Sequence, residues 1–277
     1  MDGKYQQNVQ KNLNLEEKIT SLNYKIQELT THKDDFLQLA SHELKSPLRK
    51  IATFSEILEK KFAHEIPAEA LIYLERIKKN ISSMQSIIDG IEELNSITNG
   101  SLHENCDLNQ ALAEALRQLS VPISKTNAVV HMCELPVIEA NFAHMKTLFS
   151  NLLGNSIKFR RQAETPSIDI SCSELSVEEK NNFDLAFEKM YYKIKFADNG
   201  IGFDQKDSAK IFDPFVQLNG KSAVDGNGLG LSVCRKIVGL HNGIIYAESN
   251  NTGSSFTLIL PKLANNAHPG ENQGFNN

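Results

Sequence analysis

His42 and Glu43 lie side by side in the run Ser41-His42-Glu43-Leu44-Lys45-Ser46-Pro47-Leu48. An imidazole beside a carboxylate is a nucleophile with its base at hand. The carboxylate holds one ring nitrogen as the proton-bearing tautomer and accepts that proton as the other nitrogen attacks. Ser46 comes four residues after His42, on the same helical face, where a hydroxyl can orient water or phosphate. Pro47 has no amide hydrogen, so the Glu43 carbonyl loses its helical donor and the turn should bend there. Ser46-Pro47 also fits an N-cap followed by a first helical residue, which would leave His42 in a loop. The apolar period through Phe36, Ala40, Leu44, Ile51, Phe54 and Leu58 favours one kinked helix instead.

A second cluster suits a nucleotide. Asn151, Asn155 and Lys158 fall at i, i+4 and i+7, on one face of a helix. Two carboxamide oxygens and an ammonium on one face match a magnesium-triphosphate. Mg²⁺ takes about six oxygens and keeps several from water and phosphate, so one neutral protein oxygen suffices. Lys158 then offsets phosphate charge. Alone, the stretch also fits a solvated polar helix face. Asp198-Asn199-Gly200-Ile201-Gly202-Phe203 follows a strand-like run, and a carboxylate at a strand end can accept a hydrogen bond from the exocyclic amine of adenine. Guanine presents a carbonyl there and would be refused. Gly200 and Gly202 allow a sharp turn and close backbone approach. Gly226-Asn227-Gly228-Leu229-Gly230-Leu231 then opens a helical pattern, and amides at a helix start favour anions. This is neither a P-loop nor a dinucleotide fingerprint, since no strand immediately precedes it.

These groups need elements to hold them. Leu15, Ile19, Leu22, Ile26 and Leu29 alternate spacings of four and three, the seam of a two-stranded coiled coil. A single amphipathic helix packed on another domain is the alternative. A second helical stripe, Leu71 to Leu94, follows a break at residues 60–67. One hairpin cannot enclose a core, whereas two related by a twofold axis make a four-helix bundle. Asn99-Gly100-Ser101 ends the hairpin. Beyond it the pattern is α+β, with helices expected over Leu108 to Leu119 and Ala143 to Phe159. Strands are expected at residues 128–132, 137–138, 167–172, 191–197, 243–247 and 255–260. Ser173 to Lys189 reads as a solvated acidic insertion, and residues 263–277 as a disordered tail.

Composition narrows the class. With 277 residues, 40% hydrophobic and 23% charged, the chain fits two globular domains. A net charge of −5 argues against wholesale binding to nucleic acid or anionic membrane. No apolar run approaches the roughly 20 residues that span a bilayer, and the polar start does not read as a signal peptide. Cys106, Cys133, Cys172 and Cys234 are scattered and read as reduced, cytoplasmic residues.

In this order the four blocks resemble the transmitter core of sensor histidine kinases, over roughly residues 30 to 262. The resemblance implies an all-α dimerisation hairpin followed by an α+β two-layer sandwich shared with type II topoisomerases and some chaperones. It divides the chain into a coiled-coil helix (1–35), a phosphotransfer hairpin (36–100), an ATP-binding domain (101–262) and a tail. It implies that His42 takes the γ-phosphoryl of ATP with Glu43 as base, and that the group passes to an aspartate of a separate response regulator. Ser46 maps to a position that assists dephosphorylation of that partner, where Thr or Asn is more usual. Asn155 maps to magnesium, Asn151 and Lys158 to phosphate, and Asp198 to adenine. Gly200, Gly202, Phe203, Gly226, Gly228, Leu229, Gly230 and Leu231 shape the pocket and its lid, with Asn219 to Asp225 as the mobile part. Asn141 stands where Asp is frequent, and Ser156 where Ala is usual. A homodimer is implied, with an upstream sensor domain, possible membrane anchorage included, outside this chain. An ATPase clamp of the same fold, a silent dimeric scaffold and a dominant receiver phosphatase stay open as alternatives.

Overall fold

The structure, a computed structural model, describes residues 2–97, 104–218, 226–250 and 252–262; side chains of the first helix are described in part from Lys18 and continuously from Phe36. Leu15 and Ile26 of the expected seam, the end of the hairpin at residues 99–101, the expected lid and the tail lie outside the described side chains or residues. The chain divides into two units, Met1–Ser96 and Ile97–Asn277.

The first unit is a helical hairpin of α1 (Asp2–Lys61) and α2 (Ala68–Ser96). Helix α1 runs through Pro47 without a break, so the alternative start at Ser46 does not occur. The two helices meet through a heptad row. Ser41, Leu48 and Ser55 are buried on α1, and Leu74, Ile81 and Ile88 on α2. Leu48, Ile81 and Ile88 form the small core, with Ala52 beside it. Lys45 ties the helices by pairing with Asp89 at 2.8 Å and Glu92 at 2.5 Å. These partners raise the Lys45 pKa, the Asp89 hydrogen bond most. Much of the apolar pattern is not consumed here: Phe36, Leu44, Ile51, Phe54, Leu58, Ile77 and Met84 stay exposed.

The second unit is a five-stranded sheet with helices. Its elements are β1 (Asn105–Asp107), α3 (Leu108–Gln118), α4 (Ser120–Thr126), β2 (Val129–Met132), β3 (Val137–Glu139) and α5 (Phe142–Lys158). They continue with β4 (Ser167–Glu174), α6 (Val177–Asn182), β5 (Tyr191–Asp198), α7 (Gly230–Leu240), β6 (Ile244–Asn250) and β7 (Gly253–Pro261). The main sheet is ordered β2-β4-β5-β7-β6, and β1 pairs with β3 apart from it. Only β2 and β4 run parallel; the other ladders are antiparallel. Period-two alternation builds the core. Ile194 and Phe196 of β5 register with Leu258 and Phe256 of β7, and Phe196 meets Phe149 of α5 at 5.5 Å between ring centroids.

The expected acidic insertion is not a bland solvated loop. It completes β4 and then carries α6, whose start is a reciprocal capping box between Ser176 and Glu179. Leu175 joins Tyr191 and Ile259 in a second apolar cluster with Phe183, Leu185, Ile244 and Tyr246 packed on it. The segment therefore covers the sheet face opposite α5. Most of its charges face water, while Leu175, Phe183, Leu185 and the stem of Lys180 turn inward.

Candidate active site

Helix α5 positions the polar row. Asn141 caps it, with Oδ1 accepting from the His144 amide at 3.1 Å. The Asn141 amide donates to His241 Nε2 at 3.1 Å, which ties the start of α5 to the end of α7. That bond fixes the tautomer: His241 carries its proton on Nδ1, 2.7 Å from the Ile237 carbonyl. Asn in place of Asp at 141 thus keeps the cap and leaves a neutral residue beside two imidazoles.

From this anchored start, Asn151, Asn155 and Lys158 all line one cavity of about 280 Å³. Asp198, at the end of β5, lines it as well, with Gly202, Phe203, Gly228, Gly230 and Leu231. Gly202 has φ +67°, and a side chain there would meet the Asn250 carbonyl at 2.6 Å. Gly228 has φ +69° and lies against the Phe215 backbone, so both positions require glycine. Three of the expected residues do not themselves line the cavity. The Gly200 amide donates to Asp198 Oδ1 at 2.8 Å, the Gly226 carbonyl accepts from Gln217 at 2.6 Å, and Leu229 is buried in the core.

The Asp198 carboxylate is held from several sides. Oδ1 also faces the Ser254 amide at 3.3 Å, and Oδ2 accepts from the hydroxyls of Ser254 at 2.8 Å and Ser156 at 3.2 Å. Ser254, Phe256, Phe159, Asn227, Gln217 and Ile211 line the cavity without having been singled out from sequence. Ser254 sits opposite Asp198 in the β5–β7 register, which only the folded ladder discloses. Phe159 had a signal: it directly follows Lys158, whose ammonium lies 4.9 Å from its ring centroid.

Two kinds of chemistry line the cavity. Asp198 with apolar side chains such as Phe159 and Ile211 suits a flat heterocycle bearing an amine. Lys158 and the start of α7 at Gly230, whose cap residue Leu229 makes no side-chain cap bond, line it too. A cation and a helix N-terminus suit phosphate. Among the described residues no three His, Cys, Asp or Glu side chains gather as a metal cage. The amide oxygen of Asn155 is a neutral donor that would fit a magnesium ion, which needs few protein oxygens when it arrives with a nucleotide.

His42, Glu43 and Ser46 lie in the other unit, exposed on α1. His42 and Ser46 share one helical face, and the buried Ser41 marks the side turned toward α2.

Comparison with known proteins agrees with both halves. Residues 32–100 match the His Kinase A (phospho-acceptor) domain. Residues 140–264 match the histidine kinase-, DNA gyrase B- and HSP90-like ATPase. The chain belongs to the sensor histidine kinases. Cyanobacterial phytochrome A of Nostoc sp. (strain PCC 7120) is 31% identical over 228 residues, covering 82% of this chain and 28% of that protein. Phytochrome-like protein Cph1 of Synechocystis sp. is 27% identical, covering 82% of this chain and 29% of that protein. The chain therefore spans under a third of the curated relatives it matches first. Among solved structures, full-length ShkA in complex with AMPPNP has a TM-score of 0.58 at 20% identity, covering 83% of this chain and 46% of that one. Histidine kinase ThkA in complex with response regulator protein TrrA has a TM-score of 0.54 at 21% identity, covering 87% of this chain and 66% of that one. Both share the fold.

Proposed function

We propose that this histidine kinase chain binds Mg-ATP in its second unit, transfers the γ-phosphoryl to His42 and passes it to an aspartate of a separate response regulator. The observation that carries this reading is one cavity lined by Asp198, Asn151, Asn155 and Lys158 together, in a chain that also matches a phospho-acceptor domain. Asp198 accepts the exocyclic amine of adenine. Asn151 and Lys158 hold the phosphates, with the first amides of α7 beside them. Asn155 would hold magnesium, which supplies charge neutralisation on the phosphates.

Glu43 holds the tautomer of His42 that leaves one ring nitrogen free to attack, and takes up the displaced proton. In-line geometry and neutralised charge do most of the work in such a transfer. Ser46, four residues on, orients water when the partner is dephosphorylated. Gly202 and Gly228 give the pocket its tight backbone, while Phe203, Leu231 and the segment from Gly226 to Gly230 close it. The chain acts as a homodimer: the exposed apolar row on α1 and α2 is the surface a second hairpin would bury. Residues 1–35 continue it as a coiled coil that carries the input signal.

The test is incubation with γ-labelled ATP and magnesium, for wild type and His42→Ala. Label that survives alkali, falls off in acid and disappears in the variant is the expected result. Steady phosphate release without protein label, unaffected by the variant, would replace the kinase with an ATPase.

A further inference from the structure

The Asp198 carboxylate has four protein donors around it: the amides of Gly200 and Ser254 on Oδ1, and the hydroxyls of Ser254 and Ser156 on Oδ2. A carboxylate offers about four lone-pair sites. An incoming amine must therefore displace one of the four. The two amides are fixed by the turn after β5 and by the β5–β7 ladder, and the Ser254 hydroxyl is the nearer of the two, at 2.8 Å. Ser156 is different. The residue is 4% exposed, and its hydroxyl has one proton and a second acceptor in reach, the Leu152 carbonyl one helical turn back at 3.3 Å. It can turn to that carbonyl without being left unsatisfied.

We propose that Ser156 is a positioning residue that sets nucleobase affinity: its hydroxyl competes with the exocyclic amine for Asp198 Oδ2 and swings to the Leu152 carbonyl when the amine is bound. This rests on the adenine reading of the pocket. The hydroxyl exchanges a charge-assisted bond for a longer neutral one on each binding event, so it weakens binding of amine-bearing bases. It also keeps the half-buried carboxylate fully bonded when no base is present.

Titration calorimetry on the full chain with magnesium tests this, using ADP and purine riboside 5′-diphosphate, which lacks the amine. Ser156→Ala should tighten ADP by about three- to tenfold, the size of one modest hydrogen-bond difference. It should leave the amine-free nucleotide within about twofold, because the competition is only with the amine. Ser156→Cys, which keeps a weak donor, should fall between. Equal shifts for both nucleotides, no shift, or weaker ADP binding would overturn the proposal. Asp198→Asn separates the two failures. If it abolishes the preference for ADP while Ser156→Ala does nothing, only the Ser156 proposal falls. If wild type binds both nucleotides alike and Asp198→Asn is silent, the adenine reading falls and takes the proposal with it.

Discussion

The two units bury their apolar residues in opposite ways. In the second, α5 alone buries Met145, Leu148, Phe149, Leu152, Leu153 and Ile157, and the sheet is covered on both faces. In the hairpin the core is Leu48, Ile81 and Ile88, while Phe54 is 64% exposed and Phe36 69%. A nucleotide pocket has to be held to fractions of an ångström, and a dense core does that. In the proposed function a phosphorylated His42 has to be reached by other molecules; His42 is exposed on α1, and the apolar row left open on the hairpin is the surface a second copy would bury. One unit covers its apolar core with its own chain; the other leaves a row of apolar side chains exposed.

The largest effects should follow from that contrast. Phe149 is fully buried against Phe196, so Phe149→Ala should destabilise the second unit by about 4 kcal/mol. Thermal unfolding would show its transition drop while the hairpin's helical signal holds. A single coincident drop would mean the units do not melt separately. Phe54→Glu should act in reverse. A charge placed in each copy of the proposed dimer face should weaken self-association by at least about a hundredfold, with ADP affinity unchanged. Sedimentation reads the first and calorimetry the second. A dimer indifferent to this change would move the interface elsewhere.

The same contrast explains what was legible from sequence. Heptad spacing and the run through Pro47 disclosed α1 and α2, because helical period is a local property. It did not say which half of the stripe is spent inside the hairpin; that follows from the crossing of the helices, which leaves Ile77 and Met84 out and takes Leu74, Ile81 and Ile88 in. Asn151, Asn155 and Lys158 were readable because i, i+4 and i+7 share a face, and Asp198 because it closes an alternating run. Ser254 was not, since its place opposite Asp198 depends on strand register between segments 56 residues apart. Ser173 to Lys189 differs for the opposite reason. The signal was local after all, a Ser-x-x-Glu box at Ser176 and Glu179, outweighed by the charge around it.

Smaller effects sharpen the pocket side. Gly202→Ala would force a side chain into a left-handed φ of +67° and against the Asn250 carbonyl. A cost of about 1–3 kcal/mol follows from strain of this kind. Weaker nucleotide binding, at least about tenfold, should accompany it because the turn lines the cavity. The corresponding change at Gly239, which has open space around it, should leave binding alone. If both behave alike, the turn does not shape the pocket.

The smallest expected effect lies at the joint between α5 and α7. Burial lowers the pKa of His241, against a smaller upward pull from its bond to the Ile237 carbonyl. His144 is lowered too, by burial first, then by His241 and Lys236 nearby. The neutral form is the native one, since His241 Nε2 must accept from the Asn141 amide. The sign follows. Below a pH of about 6.5 the unfolded chain takes up protons that the native imidazoles still refuse, so stability falls with falling pH. It goes on falling until the native imidazoles are themselves protonated. Each histidine contributes a slope of at most about 1.4 kcal/mol per pH unit. Melting temperatures of the second unit between pH 8 and 5.5 should therefore be flat at the alkaline end and decline at the acid end, above the range where carboxylates titrate. His241→Gln can keep an acceptor for the Asn141 amide but has no proton to gain. It should lower the alkaline plateau and flatten the acid decline, and an unchanged decline would remove this joint as its source.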